Sequence, residues 1–128
     1  MLAVDTNVVV RFLTADHPRQ FARANALLAA NEVSVRLTVV LETEWVLRDA
    51  YDYTCEEIGA ALSGLLSLPS VHVEHEGRIR QALAWAARGM EFADALHLAS
   101  ADDCGAFVTF DRDLLRLGKR IGLAVQAP

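Results

Sequence analysis

A chain of 128 residues with a formal net charge of -5 and a hydrophobic fraction of 53% is sized for one core and is too apolar to remain disordered. No apolar run approaches the ~20 residues that a bilayer span needs. The opening MLAVDTNVVVRFL has no basic leader, and an aspartate and an asparagine interrupt its apolar stretch, so a secreted or membrane-bound protein is not expected. Cys55 and Cys104 form neither a CxxC pair nor a disulfide framework, which points to reduced thiols and a cytoplasmic location. The acidic balance argues against a nucleic-acid binder only if charge is evenly spread. Arg112, Arg116, Lys119 and Arg120 make the C-terminal end basic, and cations bound to carboxylates would cancel part of the deficit.

In chain order, residues 2–4 read as a short buried strand ended by Asp5, with Thr6 or Asn7 as N-cap of a helix opening on residues 8–13. His17-Pro18 interrupts, and Phe21, Ala24, Leu27 and Leu28 repeat at helical spacing up to Asn31. Val33 and Val35 alternate with Ser34 and Arg36 as a strand. A helix is expected over 39–51 with Leu41 and Trp45 on one face, and Thr54 with Glu57 forms a capping-box pair opening a helix that runs to about Leu68, before Pro69. Val71 and Val73 suggest another strand, 76–89 a helix, and 92–104 an alanine-rich helix closed by Gly105. Residues 107–109 read as a strand, Asp111 caps a short helix ending at Gly118, and 124–126 add an edge strand. No repeat or linker interrupts the series, so the fold class is α/β: one domain over 1–128 with a small, mostly parallel central sheet flanked by helices.

Asp5, Glu42, Asp94 and Asp111 each fall where an apolar element meets a turn, or within an otherwise apolar helix. Carboxylates beside a core are costly without positive compensation, and hard oxygen ligands are what Mg²⁺, or alternatively Mn²⁺, requires. In a parallel sheet ligands bind beyond the carboxyl ends of the strands, where Asp5 and Asp111 lie. Positions 42 and 44 point to nearly opposite sides of a helix, at about 100° per residue. Glu44 has Arg48 at i+4 as a surface ion-pair partner, whereas Glu42 has none. Trp45 and Trp85 are read as core or dimer-interface anchors, and His97, one turn beyond Asp94, as a packed or surface residue.

The segments LAVDTNVVVRFL, TVVLETEWVLRDAY, EFADALHLASA and FVTFDRDL, in this order from Leu2 to about Leu117, together resemble the PIN domain, and specifically the VapC-type toxins of toxin-antitoxin pairs. The resemblance implies a metal-dependent endoribonuclease acting on structured RNA such as tRNA or rRNA, held inactive by a cognate VapB-like antitoxin and assembled as a homodimer. By position, Asp5, Glu42 and Asp94 match the three core metal-site acids and Asp111 the more variable fourth, for which Asp113 competes. Thr6 and Thr109 match the hydroxyl residues bordering the site.

A divalent cation would relieve the repulsion within such a cluster and activate a water for attack on phosphorus, leaving a 5'-phosphate and a 3'-hydroxyl. Thr109 is expected to hydrogen-bond a carboxylate, and Arg11 and Arg112 to contact phosphate. A groove beside the helix at 39–51, lined by Phe12, Leu13, Trp45 and Leu47, would take the apolar face of the antitoxin helix. The other classes weighed are a PIN-fold binding module without turnover and a small-molecule phosphohydrolase working through an aspartyl-phosphate. The D-T-N motif lacks the second aspartate such a phosphohydrolase uses.

Overall fold

The computed structural model describes all residues from Met1 to Pro128 and divides into two compact units, Met1–Glu76 and Gly77–Pro128. Helices and parallel strands alternate in both, which makes the chain α/β.

The first unit runs β1 (Leu2–Ala3), α1 (Thr6–Thr14), α2 (Pro18–Ala30), β2 (Val33–Val35), α3 (Leu37–Ala50), α4 (Cys55–Leu66) and β3 (Val71–Val73). Its strands form one parallel sheet in the order β1-β2-β3, with Leu2 opposite Val33 and Val33 opposite Val71. The central strand is the buried one, Val33 and Val35 being almost fully enclosed, as a sheet covered by crossover helices demands. β1 is an exposed edge and not the buried strand expected: Leu2 is 44% exposed and only Val4, just beyond it, is buried. Val9, Val10, Leu28, Val40, Leu47, Ile58, Leu62 and Leu65 are among the buried helix positions, which place one largely apolar face inward.

Helix ends in this unit follow their caps. Asp5, not Thr6 or Asn7, is the N-cap of α1, its Oδ1 accepting from Val8 N–H at 3.2 Å. His17 caps α2 through Nδ1, and the Thr54–Glu57 capping box opens α4 with both reciprocal bonds made, as its sequence demands. α4 stops at Leu66 instead of Leu68, where the Ser67 hydroxyl turns back to the Ser63 carbonyl. α3 begins at Leu37, two residues ahead of the expected start, because the Leu37 N–H is satisfied from outside the helix by Glu74 Oε1 at 2.9 Å. Glu74, placed just after β3, also pairs with Arg36 at 2.6 Å.

The second unit runs α5 (Glu76–Ala87), α6 (Phe92–Ser100), β4 (Phe107–Val108), α7 (Arg112–Arg120) and β5 (Val125–Gln126). β4 and β5 form their own two-stranded parallel sheet, so the strands make two sheets where one was expected. α6 ends at Ser100, four residues short of the expected end at Cys104. Asp102 and Asp103 would place two negative charges on the negative end of the helix dipole, and Asp102 is instead drawn to Arg78 at 3.1 Å. α7 runs through Gly118 to Arg120. The glycine is there for space, since a Cβ on it would lie 2.9 Å from a Val125 methyl, and Gly122, at φ +83°, follows the true end. No helix is long and apolar enough to cross a membrane.

Candidate metal and phosphodiester site

Asp5 and Glu42 both lie in the first unit and are linked through Thr6. Asp5 closes β1 and caps α1, and the next residue, Thr6, buried at the first position of that helix, donates its hydroxyl to Glu42 Oε1 on α3 in a short hydrogen bond. A threonine here fixes the Glu42 carboxylate against the start of α1, and one Asp5 oxygen is fixed by capping. The role expected of Thr109, a hydroxyl on a carboxylate, is thus filled by Thr6. Thr109 Oγ1 instead accepts the Asp111 N–H at 3.0 Å and shapes the turn into α7.

Positions 42 and 44 do face differently, but burial reverses the expectation. Glu42 is exposed, whereas Glu44 is 4% exposed, with Arg48 Nε at 3.1 Å and that arginine half-exposed. Glu44 is therefore a buried acid held by an arginine at the rim, not a surface pair. Trp45 is 53% exposed and no part of a core, while Leu47 is fully buried and lines no groove; Phe12 and Leu13 are half-buried, with Phe12 stacked on Phe21 at 6.3 Å.

Within the second unit Asp94 sits in the first turn of α6, its N–H bonded to the side chain of the N-cap Glu91 at 3.0 Å. Burial, then the negative charges of Glu91 and Asp111, push the Asp94 carboxyl above the usual carboxylate range, with His97 opposing. Asp111 caps α7 through Leu114 N–H at 3.0 Å. Of the two candidates for a fourth acid, Asp111 is the one whose charge reaches Asp94, while Asp113 is paired with Arg116 at 2.6 Å. Arg112 is exposed at the first position of α7. Arg11 is engaged by Gln20 at 2.7 Å, the Tyr51 hydroxyl at 2.8 Å and Asp16 at 3.2 Å. Tyr51, then Thr14, hold the Asp16 carboxyl below its usual range.

Two of the acids thus lie in each unit, and no three His, Cys, Asp or Glu side chains gather closely enough as they stand to hold a metal ion. The donor chemistry nonetheless fits a hard divalent cation: all four groups offer carboxylate oxygens, and at Asp94 the negative charge is under-compensated, the condition a cation relieves. Sequence reasoning missed two features. Glu74, which ties down the start of the helix bearing Glu42, acts across 37 residues and has no local signature. Phe110, between the expected 107–109 strand and the Asp111 cap and given no role by the sequence, is 84% exposed.

No curated protein matches the chain. The family model of the PIN domain matches residues 2–120, which contain all four acids. PIN domains are a nuclease-type fold and typically use divalent metals; by this match over nearly its whole length, the chain belongs to the PIN-domain family.

Proposed function

We propose that this PIN-domain protein is a Mg²⁺-dependent endoribonuclease, with Mn²⁺ as an alternative ion, and that it serves as a VapC-like toxin. The observation that carries the nuclease reading is the PIN-domain match over residues 2–120, which includes Asp5, Glu42, Asp94 and Asp111, with Asp5 and Asp111 each at the start of a helix and Glu42 held by the Thr6 hydroxyl. Asp5, Glu42, Asp94 and Asp111 are the residues that would hold the cation. When bound, it supplies an activated water and charge neutralisation at the phosphate. Thr6 holds the Glu42 carboxylate in one orientation, Thr109 fixes the backbone that presents Asp111, and Arg112 offers an exposed guanidinium to a phosphate of the substrate.

The toxin reading adds a structured RNA substrate such as tRNA or rRNA, a homodimer, a cytoplasmic location and an antitoxin that presents a basic side chain to the acids. An arginine fork suits exposed carboxylates because it bonds bidentately and stays charged.

Incubation of the purified protein with bulk tRNA and rRNA is the direct assay. Cleavage should need Mg²⁺, stop in EDTA and vanish in Asp5→Asn, whose melting temperature should stay near that of wild type because asparagine caps a helix as well as aspartate. Cleavage in EDTA, or wild-type cleavage by Asp5→Asn, would sink the metal mechanism. The toxin assignment has its own test: the product of the adjacent small open reading frame should co-purify and suppress cleavage. A second reading, a PIN-fold module that binds a partner without turnover, is favoured by the absence of any three converging acids. It predicts no cleavage with any divalent ion.

A further inference from the structure

α7 is a basic helix in an acidic chain. Four of its nine residues are basic and one is acidic, whereas the rest of the chain holds eight basic and sixteen acidic residues. Its inner face is used in packing: Leu114 is buried, Gly118 meets Val125, and Leu115 and Leu117 are half-buried. Every exposed residue of the helix is charged, namely Arg112, Asp113, Arg116, Lys119 and Arg120. At about 100° and 1.5 Å per residue, Arg112, Arg116 and Lys119 fall within about 60° of one another over roughly 10 Å, with Arg120 beside them. Helix stability does not account for this stripe. Lys119 and Arg120 suit the negative end of the helix dipole, but Arg112 stands at the first position, the positive end, where an acid is favoured. Ion pairing does not account for it either: Arg116 meets Asp113 at 2.6 Å in a pair exposed on both sides, which contributes little, and Arg112, Lys119 and Arg120 make no ion pair.

The stripe begins at the residue after Asp111, the N-cap whose charge reaches Asp94, and leads away from it along the helix. Cations repeated about once per turn and continuous with a site acid are complementary to successive phosphates of one strand. A lipid surface or an apolar protein face would ask for apolar side chains among the cations, and the exposed face of α7 has none. We infer that the outer face of α7 is the track for the RNA strand that runs away from the cleaved bond, with Arg116, Lys119 and Arg120 taking phosphates beyond the one offered to Arg112. The inference rests on the nuclease reading and adds to it which part of the substrate is held and by which residues. Phosphate contacts set register and orientation without reading sequence, so α7 imposes a length requirement on one side of the cut and no base preference.

Salt dependence of binding counts the phosphates that a protein neutralises. Fluorescence anisotropy with a labelled single-stranded oligoribonucleotide, in EDTA over a series of salt concentrations, gives the slope of the logarithm of the binding constant against the logarithm of salt concentration. The triple variant Arg116→Gln, Lys119→Gln, Arg120→Gln should make that slope shallower by about 2, at roughly 0.7 per phosphate on a single strand, while Arg116→Lys with Arg120→Lys keeps the wild-type slope. A second triple, Arg19→Gln, Arg23→Gln, Arg88→Gln, removes the same charge from exposed positions off α7 and should leave the slope as it is. All six side chains are exposed, so both triples should stay folded. In Mg²⁺, lengthening the RNA on one side of the cut should raise kcat/KM for wild type and not for the α7 triple. The inference is overturned if wild type fails to bind the oligonucleotide, if the two triples lose slope equally, which is the response of net charge alone, or if the lysine variant behaves like the α7 triple. It is also overturned if anionic vesicles or an acidic polypeptide, and not RNA, bind in an α7-dependent way. A shallower slope in the α7 triple without RNA cleavage by wild type would remove the nuclease reading and keep the track. Mg²⁺-dependent cleavage with an unchanged slope would do the reverse.

Discussion

Thr43 is fully buried on α3 and its hydroxyl is the one buried side-chain polar atom without a hydrogen-bond partner. An unsatisfied hydroxyl in a dry site forfeits its solvation, so Thr43→Val, which keeps the shape and removes the polar atom, should stabilise the protein by about 1 kcal/mol. Urea unfolding reads this as a higher midpoint at unchanged slope; a lower midpoint would mean that the hydroxyl has a partner in solution. Asp94 makes a pH-dependent prediction. Its carboxyl is raised by burial, Glu91 and Asp111, so the folded state holds the proton more tightly than the unfolded chain does. That preference is fully expressed below the unfolded value, 3.8, and is lost as pH rises through the higher folded value, above which the charged group weighs on the fold. Asp94→Asn should therefore melt higher than wild type at neutral pH in EDTA, with the advantage fading as pH falls through the raised folded value and gone by 3.8. An advantage that is constant with pH would exclude the carboxyl as its source. Glu44 cautions against judging an acid by its sequence neighbours: buried at 4% exposure, it is no silent control for Glu42.

Among the elements, the contact of α7 with β5 gives the clearest trade between two opposed effects. Alanine at position 118 would gain about 1 kcal/mol of helix propensity, but its methyl would lie 2.9 and 3.0 Å from the two methyls of the buried Val125. Valine is stiff at χ1 and overpacking costs typically 1–3 kcal/mol, so Gly118→Ala should lower stability by about 1 kcal/mol. Gly118→Ala combined with Val125→Ala should lose less than the two single changes added together, and strict additivity in thermal melts would show that the contact is absent. This glycine also shows what a sequence reveals and what it withholds. A glycine in an amphipathic run reads as a helix end, because the approach of a strand seven residues later leaves no local mark. The Thr54–Glu57 box was legible because all its bonds lie within four residues, and so were the N-cap role of Asp111 and the parallel pairing of short valine strands. The early start of α3 was not, since its cap arrives from Glu74, and neither were the burial of Glu44 and the exposure of Phe110, which depend on what packs where. The placement of Asp5 and Asp111 at helix starts was legible in the sequence; which hydroxyl bonds which carboxylate required the fold.

At the scale of the whole molecule, a net charge of -5 and two of the four acids in each compact unit make divalent cations a stabilising ligand if they bind as proposed. Occupancy of a folded-state site at a hundredfold excess over Kd is worth about 2.7 kcal/mol, which for a chain of this length raises the melting temperature by on the order of 10 °C. Titrating Mg²⁺ into wild type should show this rise and Asp5→Asn should lose most of it. Equal shifts in both proteins would mean that the ion acts by general screening of surface charge. Light scattering tests the proposed homodimer: a dimer mass is expected, and if the 53% exposed Trp45 anchors it, Trp45→Ala should shift the mass toward monomer.

Asp5 and Asp111 share an arrangement: each is the N-cap of its helix, accepting a backbone N–H three residues on. Asparagine fills that post equally well, and an aspartate codon becomes an asparagine codon by a single base transition. The mutations most damaging to chemistry are thus among the most accessible genetically and the least damaging to folding. If expression of the protein proves toxic, as the proposed function predicts, selection for survivors should recover Asp5→Asn and Asp111→Asn as full-length, folded chains more often than truncations or aggregating variants.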